Sequence, residues 1–197
     1  MKKTFRPAIV VAAMLAFGLL LSGCQTLSPQ QRSALGTGVG SLVGAVAGSQ
    51  LGDGNGRLVA MALGAALGGY VGNRFADHLN QQEQESLAQT TRQALMADEG
   101  SAGAMDWTSE QRRDVDGQII YGKAVPAHDS QSVAYLAEVR GESVSSEEQA
   151  RLASLATGTH CRPTRTSLSV EDRVVADGAI WCRTPEGDYA PLDTLAA

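Results

Sequence analysis

The amino-acid sequence predicts an α+β protein, in which a glycine-rich helical hairpin and a polar helix precede a small disulfide-linked β-rich module. Between Gly36 and Gly72, glycine recurs at nearly every fourth position, and residues four apart share one face of a helix. Polar and apolar residues alternate after Cys161, which is typical of strands. The 197-residue chain has room for about one domain with attached segments.

Charge is distributed unevenly along the chain. The net charge is −5, and the first 23 residues carry three basic side chains, Lys2, Lys3 and Arg6, and no acidic one. The remaining residues therefore carry −8. Because phosphate binding needs a basic surface, this excess of acidic residues argues against a nucleic-acid partner.

The N-terminal residues have the pattern of a targeting segment. A basic start, MKKTFR, precedes the apolar run AIVVAAMLAFGLLL. The run ends in Leu-Ser-Gly-Cys at Cys24, which resembles a bacterial lipobox. That resemblance implies a signal peptide at 1–23, acylation of Cys24 and a lipidated linker at 24–35. Gln25, where an aspartate would retain the protein, implies the outer membrane of a Gram-negative cell. An ordinary signal peptide or anchor with an incidental cysteine is the alternative.

Residues 36–73 are predicted to form a helical hairpin. The only charges there, Asp53 and Arg57, flank a GDGNGR turn and leave two apolar arms, 36–52 and 56–73. Each arm would span roughly 25 Å, which suits a thin outer membrane. Small residues at every fourth position let helices approach closely in lipid. The predicted helix-packing residues are Gly36, Gly40, Gly44, Gly48, Gly52, Gly56, Ala60, Gly64, Gly68 and Gly72.

The alternatives for this segment are weaker. A flexible linker would be rich in polar residues and would show no strict period. Neither nucleotide-binding glycine pattern occurs, and a calcium loop fails because Arg57 takes a ligand position. Because two membrane passes return the chain to the side where it began, residues 74–197 are expected in the periplasm if Cys24 is anchored in the periplasmic leaflet.

Residues 74–99 are predicted as a polar helix that continues the second arm. Its sparse apolar positions are Phe75, Leu79, Leu87 and Leu95, expected to contact the membrane interface or another subunit. The paired glutamates Glu83/Glu85 and, further on, Glu147/Glu148 are interpreted as solvated helix charges.

Residues 100–197 are predicted as the β-rich module. SAGAM is a loop, Trp107 opens the β-rich part, QIIYGKAVPA is a strand, and SSEEQARLASL is a helix with a serine N-cap. Further on, Thr164, Thr166, Leu168 and Val170 face one way, and the residues between them face the other.

Cys161 and Cys182 are predicted to form a disulfide, because a lone cysteine pair in an oxidising compartment does so by default. A hairpin turning at Glu171–Asp172 would place the two directly opposite each other. Asp177-Gly178 is a rival turn that would spoil this register. Zinc bound by His160 and the two cysteines would lack a fourth ligand.

The combined motifs resemble the seventeen-kilodalton surface-antigen family of bacterial lipoproteins with a glycine zipper. They are the lipobox, the paired zipper, YGKAVP, the pairs Cys161-Arg162 and Cys182-Arg183, and TPEGDY. The chain departs from that family in an extra stretch at about 128–157, and in Tyr189 where the family usually has tryptophan.

No catalytic, cofactor or metal-binding string is recognised, and the histidines His78, His128 and His160 are scattered. Two function classes remain. The first is a structural outer-membrane lipoprotein whose hairpin self-associates or packs beside another outer-membrane protein. The second is a tethered periplasmic module that binds peptidoglycan or an envelope protein.

Overall fold

A computed structural model describes residues 55–195 and, in the first glycine-rich arm, residues 38, 41, 42 and 45. Within residues 55–195, side-chain surroundings are described from residue 64 onwards. The predicted signal peptide, Cys24, the linker and most of the first arm lie outside the described residues.

The described chain is α+β, as predicted. Within residues 55–195, two helices come first, then three strands, two helices and three strands. They are α1 (Asn55–Phe75), α2 (Gln81–Leu95), β1 (Gly103–Thr108), β2 (Val115–Tyr121), β3 (Val125–Pro126), α3 (Ser130–Arg140), α4 (Ser146–Ser154), β4 (His160–Val170), β5 (Arg173–Arg183) and β6 (Tyr189–Pro191).

The strands form one antiparallel sheet in the order β1-β2-β4-β5-β6, and β3 pairs with β4 at Val125 and Pro126. On β4 the residues Thr164, Thr166, Leu168 and Val170 are buried, while Arg165 between them is exposed. The predicted alternation is confirmed, because a strand turns successive side chains to opposite faces.

The hairpin of β4 and β5 turns at Glu171 and Asp172, whose φ angles of 49° and 63° lie in the left-handed region. Two consecutive residues of this kind make the turn whose twist matches that of the strands. Cys161 pairs with Cys182 at a Cα–Cα distance of 4.0 Å, shorter than the roughly 4.5–5.5 Å expected for opposed residues. The predicted disulfide is confirmed. The rival turn is wrong, because Asp177-Gly178 continues β5.

Helices cover both faces of the sheet. On one face α1 and α2 enclose an aromatic-rich core, which includes Phe75, Leu87, Trp107, Ile119, Leu168 and Trp181. On the other face α3 and α4 enclose a smaller core around the disulfide, which includes Leu136, Val144, Leu152, Cys161, Ile180 and Cys182. The extra stretch at about 128–157 therefore supplies the second helical layer.

The polar helix differs from its prediction in where it begins. The chain leaves α1 at Phe75, and α2 starts afresh at Gln81 after an N-cap at Asn80. Asn80 and Glu83 bond each other's backbone N–H groups in a capping box. The four apolar positions that were expected to contact the membrane interface or another subunit are buried in the chain's own core: Phe75, Leu79, Leu87 and Leu95.

The module's other elements partly match the sequence. Strand β1 begins at Gly103, inside the predicted loop, and the predicted strand divides into β2 and β3. The serine cap is confirmed, since Ser145 and Glu148 form a capping box at α4. Helix α3 has Asp129 as its N-cap and Gly141, whose φ is 82°, as its C-cap.

Candidate functional site at the junction of the zipper helix and the sheet

The C-terminal part of the second zipper arm lies inside the core of the module. Leu67, Val71 and Phe75 follow one another at four-residue intervals on α1, and all three are buried. They share a hydrophobic cluster with Trp107 and Trp181 of the sheet. Because each such side chain contributes about 1.5–3 kcal/mol on burial, the arm and the sheet stabilise each other.

Tyr70 reinforces this junction through both its ring and its hydroxyl. The ring meets Trp181 edge-on, with centroids 5.1 Å apart and planes at 75°. The hydroxyl donates a hydrogen bond of 2.8 Å to Asp177 Oδ2. Burial, and secondly the negative charge of Asp177, raise the pKa of Tyr70, so the phenol stays protonated and can donate. Arg74 Nη1 lies 3.6 Å from Asp177 Oδ1.

The zipper glycines on α1 differ in their surroundings. Gly64 is half-buried, whereas Gly68 and Gly72 are buried. Ser41 of the first arm lines a cleft of about 140 Å³ together with Ala65 and Gly69. Ser41 of the first arm thus lies beside small residues of α1.

The surroundings of the other predicted zipper residues lie outside what the structure describes. Gly56 and Ala60 lie in α1, but their surroundings are not described, and Gly36, Gly40, Gly44, Gly48 and Gly52 lie outside the described residues. Within the part of the chain that the structure describes, no helix has both the length and the apolar character needed to cross a membrane.

A larger cleft, of about 290 Å³, lies between α1 and the loop that joins α3 to α4. Its wall includes Arg140, which is buried and ion-paired with Glu148. Although burial alone would raise the pKa of Glu148, hydrogen bonds from Arg140 and Ser145 hold it below its usual value. Any side chain at Gly178 would collide with Arg140, so this glycine lets the end of α3 touch β5.

Arg162, one of the two arginines that follow the cysteines, is fully buried. Its Nη1 donates to the carbonyls of Ala94, Leu95 and Ala97 at 2.9–3.0 Å, and its Nη2 donates to the carbonyl of Asp98. It thereby binds carbonyls in the last turn of α2 and in the turn that follows, where the helix dipole favours a positive charge. The Cys-Arg motif marked this residue, but its partners are 64–68 residues away in sequence and left no local signal.

The rings of Tyr121 and Tyr189 flank the Arg162 guanidinium, at 5.6 and 6.0 Å from its central carbon. Beside Tyr189 a cleft of about 440 Å³ opens between the end of α2 and β5. Arg183, the arginine of the second Cys-Arg pair, stands at this cleft and is ion-paired with Glu99.

The interpretation of Glu83 as a solvated helix charge is wrong. It is fully buried and accepts hydrogen bonds from Arg112 Nε at 2.8 Å, from Arg112 Nη2 at 2.6 Å and from Ser109 Oγ at 2.6 Å. Chiefly because of the Arg112 hydrogen bonds, and despite burial, the pKa of Glu83 falls to about 2. The capping pattern was visible in the sequence, but this partner, 29 residues away, was not.

The histidines do not come together with other metal-binding side chains. Among the described residues, no group of three or more His, Cys, Asp or Glu side chains could hold a metal ion. The zinc alternative fails because both of its sulfur ligands are joined in the disulfide. His160 instead places Nδ1 3.0 Å from the carbonyl of Gly158.

Comparison with known proteins supports the zipper. Residues 1–76 match the YMGG-like Gly-zipper family, a similarity that ends where α1 ends and is consistent with membrane association. No curated protein and no solved structure matches the chain. The similarity thus supports a glycine-zipper protein, while the assignment to the surface-antigen family stays a prediction.

Proposed function

We propose that this protein is an outer-membrane lipoprotein of the surface-antigen kind, with a structural role in the bacterial envelope. Cys24 carries the lipid anchor, the zipper hairpin associates with the membrane and packs against a second copy or another envelope protein, and the module lies in the periplasm. The lipobox pattern and the Gly-zipper similarity over residues 1–76 support this assignment.

The continuity of helix α1 is the main support for this proposal. Helix α1 runs without interruption from the glycine-rich segment at Asn55 into the core of the module at Phe75. The zipper is therefore no flexible tether, because a displacement of its helix moves the sheet through Tyr70 and Trp181. Whatever binds the zipper fixes the position of the module relative to the membrane.

Gly64→Leu tests this proposal. Gly64 lies just before Leu67, the first residue of the described core, so the module should keep its fold. A leucine there raises helix propensity but forces a packed helix away. We expect crosslinked oligomers or heterocomplexes in intact outer membranes to decline at least several-fold, with the thermal midpoint of the module unchanged.

Gly64→Ala is the matched control and should have a milder effect, and Gly44→Leu extends the test to the first arm. Gly72→Leu, at a buried position, should lower both the thermal midpoint and the oligomer yield. If Gly64→Leu and Gly44→Leu both leave the crosslinked products unchanged, the zipper is not the functional element.

The second candidate function, a tethered module that binds peptidoglycan or an envelope protein, is favoured by the cleft at Tyr189. A fragment from about residue 100 would lose α1 and α2, which supply half of the core around Trp181. Binding to purified sacculi should therefore be measured with the full chain. Sedimentation of the protein with sacculi would support this function.

A further inference from the structure

Four residues from separate sequence motifs lie at or behind the cleft of about 440 Å³ at the end of α2: Arg183 and Tyr189 line it, and Arg162 and Tyr121 lie behind Tyr189. Tyr121 belongs to YGKAVP, Arg162 and Arg183 to the two Cys-Arg pairs, and Tyr189 to TPEGDY. The structure stacks the two tyrosine rings around Arg162 and places Arg183 and Tyr189 opposite each other on β5 and β6. The zipper proposal does not use this arrangement.

The walls of the cleft combine three kinds of surface. Leu95, Met96 and Ala97 form an apolar side, and Met96 is half exposed to solvent. Asp98 and Glu99 supply carboxylate acceptors, and Arg183 supplies guanidinium donors. The volume lies within the range of about 300–1,000 Å³ that is typical of small-ligand pockets.

The hydroxyl of Tyr189, a residue that lines this cleft, lacks a hydrogen-bond partner among the described residues. Tyr189 is only 3% exposed, and its Oη is buried. A buried hydroxyl left in this state costs about 1–3 kcal/mol, and such groups are rare in folded proteins. Because Tyr189 lines the cleft, a ligand there can supply the missing partner.

The charges around the cleft select the class of ligand. Asp98 and Glu99 line the cleft together with Arg183, and Arg92, Glu186 and Asp188 add charges of both signs beside it. A free anion or a free cation would meet side chains of its own sign there. The cleft does suit groups that donate to a carboxylate and accept from a guanidinium at once, and hydroxyls do both.

We propose that this cleft binds a neutral, hydroxyl-rich ligand, a short glycan of about one or two sugar units, with Tyr189 as the residue that fixes it. The sugar hydroxyls donate to Asp98 and Glu99 and accept from Arg183, while the carbon face of the ring lies on Met96. Arg162 holds the end of α2 in place, so the two sides of the cleft keep a constant distance.

The test is a titration of the full-length protein in detergent, followed by calorimetry and by the amide NMR signals of residues 95–99 and 183–189. Diacetylchitobiose probes acetamido sugars, maltose probes plain hexoses, and lysine and citrate are the cationic and anionic probes. We expect one of the two sugars to bind and to shift these signals, with lysine and citrate binding at least tenfold more weakly.

Tyr189→Phe removes one oxygen that has no partner among the described residues, so it should leave the thermal midpoint unchanged or higher and weaken sugar binding at least fivefold. Tyr135→Phe, in the opposite helical layer, is the matched control and should bind as the parent does. No binding of either sugar, unchanged binding by Tyr189→Phe, or preferential binding of lysine or citrate would each overturn the proposal. None of these outcomes bears on the zipper, whose test is crosslinking.

Discussion

The two helical layers hold the sheet in different ways. The layer of α1 and α2 uses large aromatic rings, among them Tyr70 and Trp181, and no covalent link. The layer of α3 and α4 is smaller and mainly aliphatic, and it surrounds the disulfide. Aromatic side chains bury about 150–250 Å² each, so the first layer has enough contact area to hold a helix from the other end of the chain. The second layer has less area and uses a covalent bond between neighbouring strands.

The largest expected loss of stability comes from the layer of α1 and α2, which we call the aromatic layer. Trp181→Ala removes a fully buried ring that touches Tyr70 and donates to Thr164, and it should cost about 3–5 kcal/mol of unfolding free energy. Hydrogen exchange should show the amides of residues 67–75 losing protection first. Trp181→Phe should cost less. Equal loss of protection in both layers would contradict the division between them.

Loss of the disulfide should have the second-largest effect on the free energy of unfolding. Replacing both Cys161 and Cys182 with serine opens a loop with a sequence separation of 21 and should cost about 3 kcal/mol. Protection should fall first in α3 and α4, with the contact of α1 and Trp181 retained. In the parent protein both sulfurs should resist thiol reagents until reduced, and free thiols in unreduced protein would defeat this prediction.

The smallest effect is acid sensitivity of the aromatic layer through Glu83. Its pKa is about 2 in the folded protein and 4.5 when unperturbed, so its contribution to stability is present above pH 4.5 and is lost as the pH falls toward 2. Between pH 4.5 and pH 3 the loss should be about 1.5 kcal/mol, since one pKa unit corresponds to about 1.4 kcal/mol.

Glu83→Gln is the control for this titration. It should lower stability at neutral pH, because Arg112 loses its charged partner, and should flatten the stability profile below pH 4.5. Urea unfolding at several pH values gives the free energy of unfolding of the parent protein and of Glu83→Gln. An equally steep acid limb in Glu83→Gln would assign the acid sensitivity to other carboxylates.

Local signals predicted the hairpin of β4 and β5, with Asp177-Gly178 as the one rival turn. The turn at Glu171–Asp172, the alternation on β4 and the facing cysteines are all contained within 22 consecutive residues. The serine cap of α4 and the helical second arm were predicted for the same reason. A strand pair or a cap depends on neighbours that the sequence places close by.

Long-range contacts account for what the sequence did not reveal. The polar run from Asn80 looked solvated, and only the arrival of Arg112 and Ser109 makes Glu83 a buried residue. Arg162 was marked by its motif, but its acceptors are carbonyls at the end of a helix in another part of the chain. The zipper period predicted a partner helix and gave no sign that the last two turns of α1 pack on the sheet.

The contact between Tyr70 and Asp177 spans 107 residues, which has a consequence for how the protein is made. A chain that emerges from its N-terminus presents α1 long before β5 exists. During synthesis this glycine-rich helix has no sheet to dock on, and contacts that close long loops form late. The apolar side of α1 is therefore a segment for chaperones to protect until the last long strand has been made.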